Sequence, residues 1–210
     1  MSEKKGDCGK HGHKRKKFIQ RICAGILFFI LLILFVVFLV WAILRPTKPK
    51  FTLQDVTVFQ FNVTGSNLLN SNMQITLSSR NPNDKIGIYY DRLDVFAEYS
   101  NQQITLPTRL PPTYEGHKDI NIWSPFVYGS NVPIAPYLAA SLSQDQNIGM
   151  VLIKIKVDGR VRWKVGTWIS GNYHIHVNCP AYITFGSRNT GIQVGTAFKY
   201  QLVQPCGVDV

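Results

Sequence analysis

Acidic side chains are scarce in this sequence, which has 12 Asp and Glu residues against 23 Lys and Arg residues and a formal net charge of +11. The positive excess is uneven: residues 1–21 carry +6, residues 45–50 carry +3, and residues 51–210 carry only +2. A nucleic-acid-binding domain concentrates positive charge on its folded part. We therefore expect no nucleic-acid partner, and we assign the basic character to the flanks of a membrane segment.

Cysteine is also scarce, and none of the four cysteines has the CxxC or Cys/His spacing of a zinc site. Cys8 and Cys23 lie before or within the apolar segment described below, whereas Cys179 and Cys206 lie far beyond it. An isolated pair of cysteines in an exported domain favours a disulfide, because that compartment is oxidising. We predict a Cys179–Cys206 bond that stabilises the domain by about 3–4 kcal/mol.

Signatures of common catalytic sites are missing. The chain has no nucleophile elbow, Walker loop, GxGxxG or His-Glu-x-x-His, and no Asp-x-Asp of a nucleotide-sugar glycosyltransferase. His174 and His176 share one face of a predicted strand, but two imidazoles without a nearby third ligand are typical of an exposed polar face. We expect no enzyme, no cofactor and no bound metal.

One apolar run dominates the N-terminal part. Residues Ile22 to Leu44 form 23 uncharged positions, which as an α-helix reach roughly 35 Å and can cross a hydrocarbon core of about 30 Å. The alternative is a cleaved signal peptide, whose apolar core is about 7–15 residues long and ends in a small-x-small site. This run is longer and has no such site after Trp41. We predict an uncleaved transmembrane helix over residues 22–44, with Trp41 as an interfacial anchor.

Charge sets the predicted orientation. Eight Lys and Arg residues precede the run, and only Arg45, Lys48 and Lys50 follow it before Asp55. The positive-inside rule then keeps the N-terminus in the cytosol and places the C-terminal domain outside. We predict a disordered basic cytosolic tail (1–21), a span (22–44), an extended and stiff Pro-rich linker (45–50) and an outer domain (51–210). In that topology the sequon at Asn62 predicts glycosylation.

The outer domain is predicted to be mainly β. Apolar and polar residues alternate in seven short runs separated by turn residues, which indicates an antiparallel β-sandwich of about seven strands, immunoglobulin- or fibronectin-like. One short helix is predicted at Pro136–Leu142, with proline in its first turn. The runs are Phe51–Val63, Met73–Ser79, Ile86–Tyr99, Ile104–Leu106, Met150–Val165, Tyr173–Val177 and Thr196–Val203.

Two hairpins are predicted to the register. A two-residue loop at Asn101-Gln102 pairs Tyr99 with Ile104 and keeps the apolar residues on one face. A three-residue loop ending in a left-handed Gly159 does the same for the run Met150–Val165.

The second hairpin places five basic side chains on one outer face. This face is interpreted either as a docking surface for polyanions, such as anionic lipid head groups or acidic wall polysaccharide, or as a solvated sheet face whose charges discourage edge pairing. The five are Lys154, Lys156, Arg160, Arg162 and Lys164.

The segment Asn81-Pro82-Asn83 is predicted to end one strand and start the next, because Pro82 makes Asn81 extended and Asn83 tolerates a left-handed turn. With Ile86-Gly87-Ile88-Tyr89-Tyr90-Asp91, it resembles the signature of the plant harpin-induced-like proteins, also called the non-race-specific-disease-resistance-like family. The outer domain of that family belongs to the late-embryogenesis-abundant group 2 class. The resemblance continues through Leu110-Pro111-Pro112, Arg162-Trp163-Lys164-Val165-Gly166 and the Cys179/Cys206 pair.

This resemblance implies a β-sandwich with a small helix in a plant plasma-membrane protein that takes part in pathogen responses, with some members at plasmodesmata and no known catalysis. Our leading hypothesis is a non-catalytic defence protein with its outer domain at the cell surface. Its partners would be the lipid bilayer and a surface protein, anionic lipid or wall polymer. The alternatives are osmotic or dehydration protection by binding membranes or lipids, and lipid carriage between the two sheets.

Overall fold

The computed structural model describes residues 10–65, 67–186 and 189–210, apart from the side chains of residues 10–19, 41, 43 and 44. The chain divides into two compact units at Arg45/Pro46, and each is described by itself. The predicted linker residues from Pro46 onward therefore belong to the second unit.

The described part of the first unit forms one helix, α1 (Lys10–Leu44). Its segment Gln20–Val40 is long and apolar enough to cross a membrane, and its side chains are exposed in the isolated chain, as those of a lipid-facing span would be. The helix begins well before residue 22. Residues 10–21 are therefore helical, whereas the sequence predicted that they are disordered. The side chain of Trp41, the predicted interfacial anchor, lies outside the described residues.

The second unit consists of two antiparallel sheets and one helix, which confirms the predicted sandwich. The first sheet has the order β12-β13-β1-β2-β7, with β8 also paired to β2. The second has the order β14-β11-β9-β3-β4, with β10 on β9 and both β5 and β6 on β3. The strands are β1 (Lys50–Thr64), β2 (Leu68–Arg80), β3 (Ile86–Tyr99), β4 (Gln102–Gln103), β5 (Thr108–Leu110), β6 (Thr113–Glu115), β7 (Ile120–Trp123), β8 (Phe126–Pro133), β9 (Met150–Val165), β10 (Trp168–Ile169), β11 (Tyr173–Thr184), β12 (Ile192–Val194), β13 (Ala197–Pro205) and β14 (Gly207–Asp209).

The core lies between the sheets because alternate residues of the long strands point inward. Leu53 and Ile75 of the first sheet and Val95, Ile153 and Ile175 of the second are fully buried. These side chains fill the space between the layers, which leaves little room for a carried lipid.

Helix α2 (Pro136–Ile148) packs against this core and is longer than predicted. It begins with proline in its first turn, and its Leu138 and Leu142 are buried. It ends at Gly149, which has a left-handed φ of 92° and donates its backbone N–H to the carbonyls of Asp145 and Gln146.

Strand β9 runs unbroken through Asp158-Gly159, so the predicted hairpin there is wrong. The strand pairs with β3 on one side and β11 on the other, and Val157 lies opposite both Val95 and Val177. A turn would break both ladders. A β-carbon at Gly159 would overlap the carbonyl oxygen of Arg92. Glycine is therefore needed here for the close approach of β3 at its bulge, and not for a left-handed turn.

The first predicted hairpin exists with a different register. Ser100 and Asn101 both have positive φ, at 46° and 66°, and form the turn, so Tyr99 pairs with Gln102. The N–H of Ile104 donates to the carbonyl of Ala97, which keeps Ile104 in the core. The prediction was wrong because it required Leu106 to be buried as well, whereas Leu106 is 54% exposed.

Candidate interaction surface

The five predicted basic residues all lie on the outer face of β9, because they occupy alternate positions of one strand. From Lys154 to Lys164 this row extends for about 33 Å at roughly 3.3 Å per residue. The five charges thus lie along one strand, whereas the sequence predicted that they lie on the two strands of a hairpin.

Acidic side chains interleave with this basic row. Asp91 accepts two hydrogen bonds from the Arg162 guanidinium, both of 2.6 Å, which raises the pKa of Arg162. Glu98 lies 3.9 Å from the Lys156 ammonium. Arg162 and Lys156 are therefore tied to the neighbouring strand β3, and such pairs hold the sheet register as well as presenting charge.

Asp94 of β3 occupies the middle of the same face between two arginines. Burial raises its pKa, but hydrogen bonds and ion pairs with Arg109 and Arg92 outweigh this effect, and the net pKa is lowered. Arg92 also lies opposite Arg160 in the β3–β9 ladder. Asp158 occupies the position of the row between Lys156 and Arg160 and lies opposite Asp94, so basic and acidic side chains alternate at the centre of the face.

Two tyrosines extend the face toward the end of β9. The rings of Tyr89 and Tyr114 are 4.5 Å apart, and the Lys164 ammonium lies 5.8 Å and 5.2 Å from their centroids. The alternation of Ile88 and Tyr90 could have placed Tyr89 on the outside. No sequence signal places Tyr114 beside it.

The two histidines stack on the neighbouring strand β11, with ring centroids 6.4 Å apart. His176 Nδ1 is 2.7 Å from a carboxylate oxygen of Asp158. Among the described residues, no group of three His, Cys, Asp or Glu side chains is arranged to hold a metal ion.

The segment Asn81-Pro82-Asn83 ties three parts of the chain together. Asn81 Nδ2 donates to the carbonyls of Ile86 and Gly116, and its Oδ1 accepts from the Asn83 backbone N–H and from Asn83 Nδ2. Asn83 Oδ1 accepts from the backbone N–H and the hydroxyl of Thr47, and Asn83 Nδ2 donates to the Thr47 carbonyl.

The segment lies between the end of β2 and the start of β3, and the backbone of Asn83 does not adopt the left-handed conformation that this residue type tolerates. The residue instead acts through its side chain. Because Thr47 is bound in this way and Pro49 is buried, the linker packs on the domain and is not a free spacer.

Tyr90 points into the core, where it meets a carboxyl group that the sequence did not indicate. The hydroxyls of Tyr90 and Ser79 donate to Glu115 Oε2 at 2.7 Å and 2.9 Å, whereas Oε1 has no partner among the described residues. Burial raises the pKa of Glu115 against the lowering effect of these hydrogen bonds, and it raises that of Tyr90. A single glutamate between a tyrosine and a glycine carries no signal of such burial.

The predicted disulfide is confirmed: Cys179 and Cys206 are bonded, with their Cα atoms 4.3 Å apart. Cys179 lies in β11 of the second sheet. Cys206 lies where the chain leaves β13 of the first sheet and enters β14 of the second. The bond therefore fixes the point at which the chain crosses between the layers.

The predicted glycosylation residue, Asn62, is exposed in β1 opposite Asn70. Its side-chain oxygen accepts a 3.3 Å hydrogen bond from Gln60. The position can be reached from solvent, and glycosylation there stays a prediction.

Comparison with known proteins points to one family. Residues 76–180 match the family model described as late embryogenesis abundant protein. The chain is 60% identical over 207 residues to NDR1/HIN1-like protein 1 of Arabidopsis thaliana, which covers 97% of this chain and 99% of that protein. It is 56% identical over 206 residues to NDR1/HIN1-like protein 12 of the same organism, with 97% and 98% covered.

Likeness to solved structures is weak. The solution structure of a protein described as late embryogenesis abundant matches with a TM-score of 0.34 at 16% identity, covering 68% of this chain and 74% of that one.

Proposed function

Since this chain belongs to the NDR1/HIN1-like family, with a late embryogenesis abundant domain, we propose that it is a non-catalytic, single-pass plasma-membrane protein of the plant defence response. The family supports a role in plant defence or stress. In the proposal, α1 crosses the membrane with its N-terminus in the cytosol, and the sandwich acts outside by binding.

One observation carries this proposal: an apolar helix long enough to span a bilayer precedes a domain whose two sheets are joined by a disulfide. Structural disulfides form and persist in oxidising compartments and are rare in the cytosol. In the cytosol Cys179 and Cys206 would be kept reduced, and the bond would not form. Together the helix and the bond support an anchored domain on the outer side.

The sidedness can be tested with the Asn62 sequon. The full chain is expressed in plant cells, and its gel mobility is compared before and after glycosidase treatment, with Asn62→Gln as the control. We expect the wild type to shift and the variant not to shift. If the wild type does not shift, a second probe is needed: Cys179 and Cys206 found reduced in cells would overturn the outside placement.

We assign the binding role to the row of basic side chains on β9. Its length suits an extended polyanion better than a small ligand, because the charges follow one strand for about 33 Å. Acidic wall polysaccharide is such a polymer. Binding it would link the membrane to the wall, which is the adhesion part of the proposal.

Charge reversal tests this role. Lys154, Arg160 and Lys164 are chosen because Lys156 and Arg162 pair with acids of β3 and would disturb the fold. We expect the full chain in vesicles to bind polygalacturonate in a salt-sensitive way, and K154E/R160E/K164E to lose most of that binding.

The matched control is K154R/R160K/K164R, which keeps every charge and should keep the binding. Equal binding by the reversed and the charge-conserving variants would show that the row is only a solvated sheet face.

Protection during osmotic or dehydration stress is the second candidate, and the family description favours it. Treating plants with a pathogen elicitor or with drought distinguishes the defence role from the protective role. Transcript induction by elicitor, together with greater pathogen growth in plants that lack the gene, supports defence. Induction by drought, with membrane leakage in the same plants after drying, supports protection.

A further inference from the structure

An apolar groove of about 400 Å³ lies at the end of the domain where the chain enters it. One wall is formed by the linker residues Pro46, Thr47 and Lys48, and the other by Trp168 and Tyr173. Pro46 is only two residues beyond Leu44, the last residue of α1. Two residues of extended chain reach about 7 Å, so the covalent structure keeps this end of the domain close to wherever α1 ends.

The groove is bordered by large apolar side chains that solvent reaches. Trp168 is 63% exposed and Tyr173 is 49% exposed, and Ile169 beside them is also exposed. Trp168 follows a tight turn in which Gly166 has a φ of 58°, so the ring projects from the tip of the β9–β10 hairpin. Tryptophan and tyrosine are the residues that favour a membrane–water interface, where one part of the ring is apolar and the other is wet.

Three lysines lie in the same part of the domain. Lys164 is paired with Ile169 between β9 and β10, and its ammonium lies over the rings of Tyr89 and Tyr114. Lys48 lines the groove, with its ammonium 3.6 Å from Asp209, and Lys50 is exposed at the start of β1. An exposed apolar surface with lysines nearby matches the chemistry of a bilayer surface, in which phosphate groups lie directly above hydrocarbon.

We infer that the Trp168–Ile169 hairpin tip, with Tyr173, docks into the head-group region of the bilayer that α1 crosses. The inference rests on the proposed membrane anchoring and adds a second contact between the domain and the membrane. The occupant of the groove is therefore lipid, held by Trp168 and Tyr173 and by the adjacent lysines. Such docking would fix the tilt of the domain and orient the basic row of β9 relative to the membrane.

Quenching by brominated lipid tests the two contacts separately. The full chain is placed in vesicles of phosphatidylcholine and phosphatidylserine, with and without dibrominated phosphatidylcholine. W168F retains Trp41, whose quenching reports insertion of the span. W41F retains Trp168, whose quenching reports docking, and W41F/W168F gives the background from Trp123 and Trp163.

We expect W168F to be quenched through Trp41, and W41F to lose a larger share of its emission than W41F/W168F. The matched control moves the reporter: W41F/W168F/Y137W carries a tryptophan on α2, where Tyr137 is 70% exposed near the opposite end of β1. It should show no quenching above background.

Three results would overturn the docking. Quenching of Trp41 with equal quenching of W41F and W41F/W168F would leave the anchor intact and exclude the second contact. Quenching of the Tyr137→Trp reporter to the same extent as Trp168 would show contact without orientation. Absence of Trp41 quenching would refute the anchoring itself, and the docking with it.

Discussion

Asn83 joins the linker to the domain through hydrogen bonds to both the backbone and the side chain of Thr47. Asn83 is buried, and its Nδ2 donates to Asn81 as well as to Thr47. Another side chain at this position would therefore be poorly tolerated. A buried polar group that loses its partner costs more than the hydrogen bond contributes. The residue therefore acts at two places at once, the entry of the chain and the turn before β3.

We predict that Asn83→Ala lowers the free energy of unfolding by about 2–4 kcal/mol, because it removes the three hydrogen bonds to Thr47 and the one from Asn83 Nδ2 to Asn81 Oδ1. Urea unfolding of the full chain in micelles, followed by tryptophan fluorescence, measures this. Asn172→Ala, at an exposed loop position, is the control and should change stability by less than about 0.5 kcal/mol. Equal effects of the two substitutions would contradict the assigned role.

Glu115 makes the stability of the domain depend on pH. Its folded-state pKa is raised above the ordinary value of 4.5, so the folded state holds this proton more tightly than the unfolded state does. The stabilisation is fully present below pH 4.5 and is lost as the pH rises through the folded pKa. Glu115→Gln keeps an oxygen for the Tyr90 and Ser79 hydroxyls and removes the ionisation.

We therefore expect Glu115→Gln to reduce the fall in unfolding free energy between about pH 4 and about pH 8. Denaturant unfolding at several pH values gives the slope of unfolding free energy against pH for the wild type and for Glu115→Gln. Glu98→Gln changes a less buried glutamate of β3 and should leave the wild-type slope in place. A Glu115→Gln slope identical to the wild-type slope would refute this assignment.

Strand β9 is the central element of the second sheet, with β3 and β11 paired along most of its length. It carries core residues on one face and the basic row on the other, so its register sets both packing and charge. At Gly159 the backbone of β3 leaves no room for a β-carbon, which would overlap the carbonyl oxygen of Arg92.

Gly159→Ala should destabilise the domain by about 1–3 kcal/mol, because the new methyl group would meet the Arg92 carbonyl and the Leu93 side chain. Gly171→Ala is the matched substitution, since a β-carbon there has no atom within 4 Å. Thermal unfolding of both variants checks this. A Gly159→Ala protein as stable as the wild type would show that β3 does not crowd this position.

The comparison of β9 and its neighbours shows what the sequence could predict. The bounds of β9 follow from alternation over its 16 residues, and those of β3 follow from alternation on either side of its bulge. The Asp-Gly pair is a strong local turn signal, but pairing on both sides of β9 overrides it. Strands of three or four residues, such as β5, β6 and β7, are too short to show a period.

The interaction surface was predictable in part for the same reason. Alternation places the five basic side chains on one face both in the predicted three-residue hairpin and in the unbroken strand. The acids that pair with them come from β3, and Tyr114 comes from β6. These contacts depend on the register between strands distant in sequence, which alternation alone does not determine.

At the scale of the whole molecule, the Cys179–Cys206 disulfide adds a cross-link where the chain passes from one sheet to the other. Cys179 and Cys206 are separated by 27 residues, a loop long enough for a large effect on the unfolded chain. The crossing at Cys206 also starts β14, the edge strand of the second sheet. Loss of the bond would therefore loosen the edge and the layer contact together.

We predict that C179S/C206S lowers the free energy of unfolding by about 3–4 kcal/mol. Reducing agent should destabilise the wild type by a similar amount and leave this double variant unchanged. Cys23→Ser, which removes an unpaired cysteine, should behave like the wild type. Insensitivity of the wild type to reductant would show that the bond contributes little.

The hydrogen bonds between Asn83 and Thr47 determine where the chain can be truncated or fused to another protein. A truncated fragment that starts at Phe51 removes Thr47 and the buried Pro49 and leaves Asn83 open to solvent, so it should express poorly. A fragment that starts at Pro46 keeps the hydrogen bonds between Thr47 and Asn83. Likewise, a chimera with a foreign anchor should retain Pro46–Pro49, because these residues are part of the domain's architecture and not an exchangeable tether.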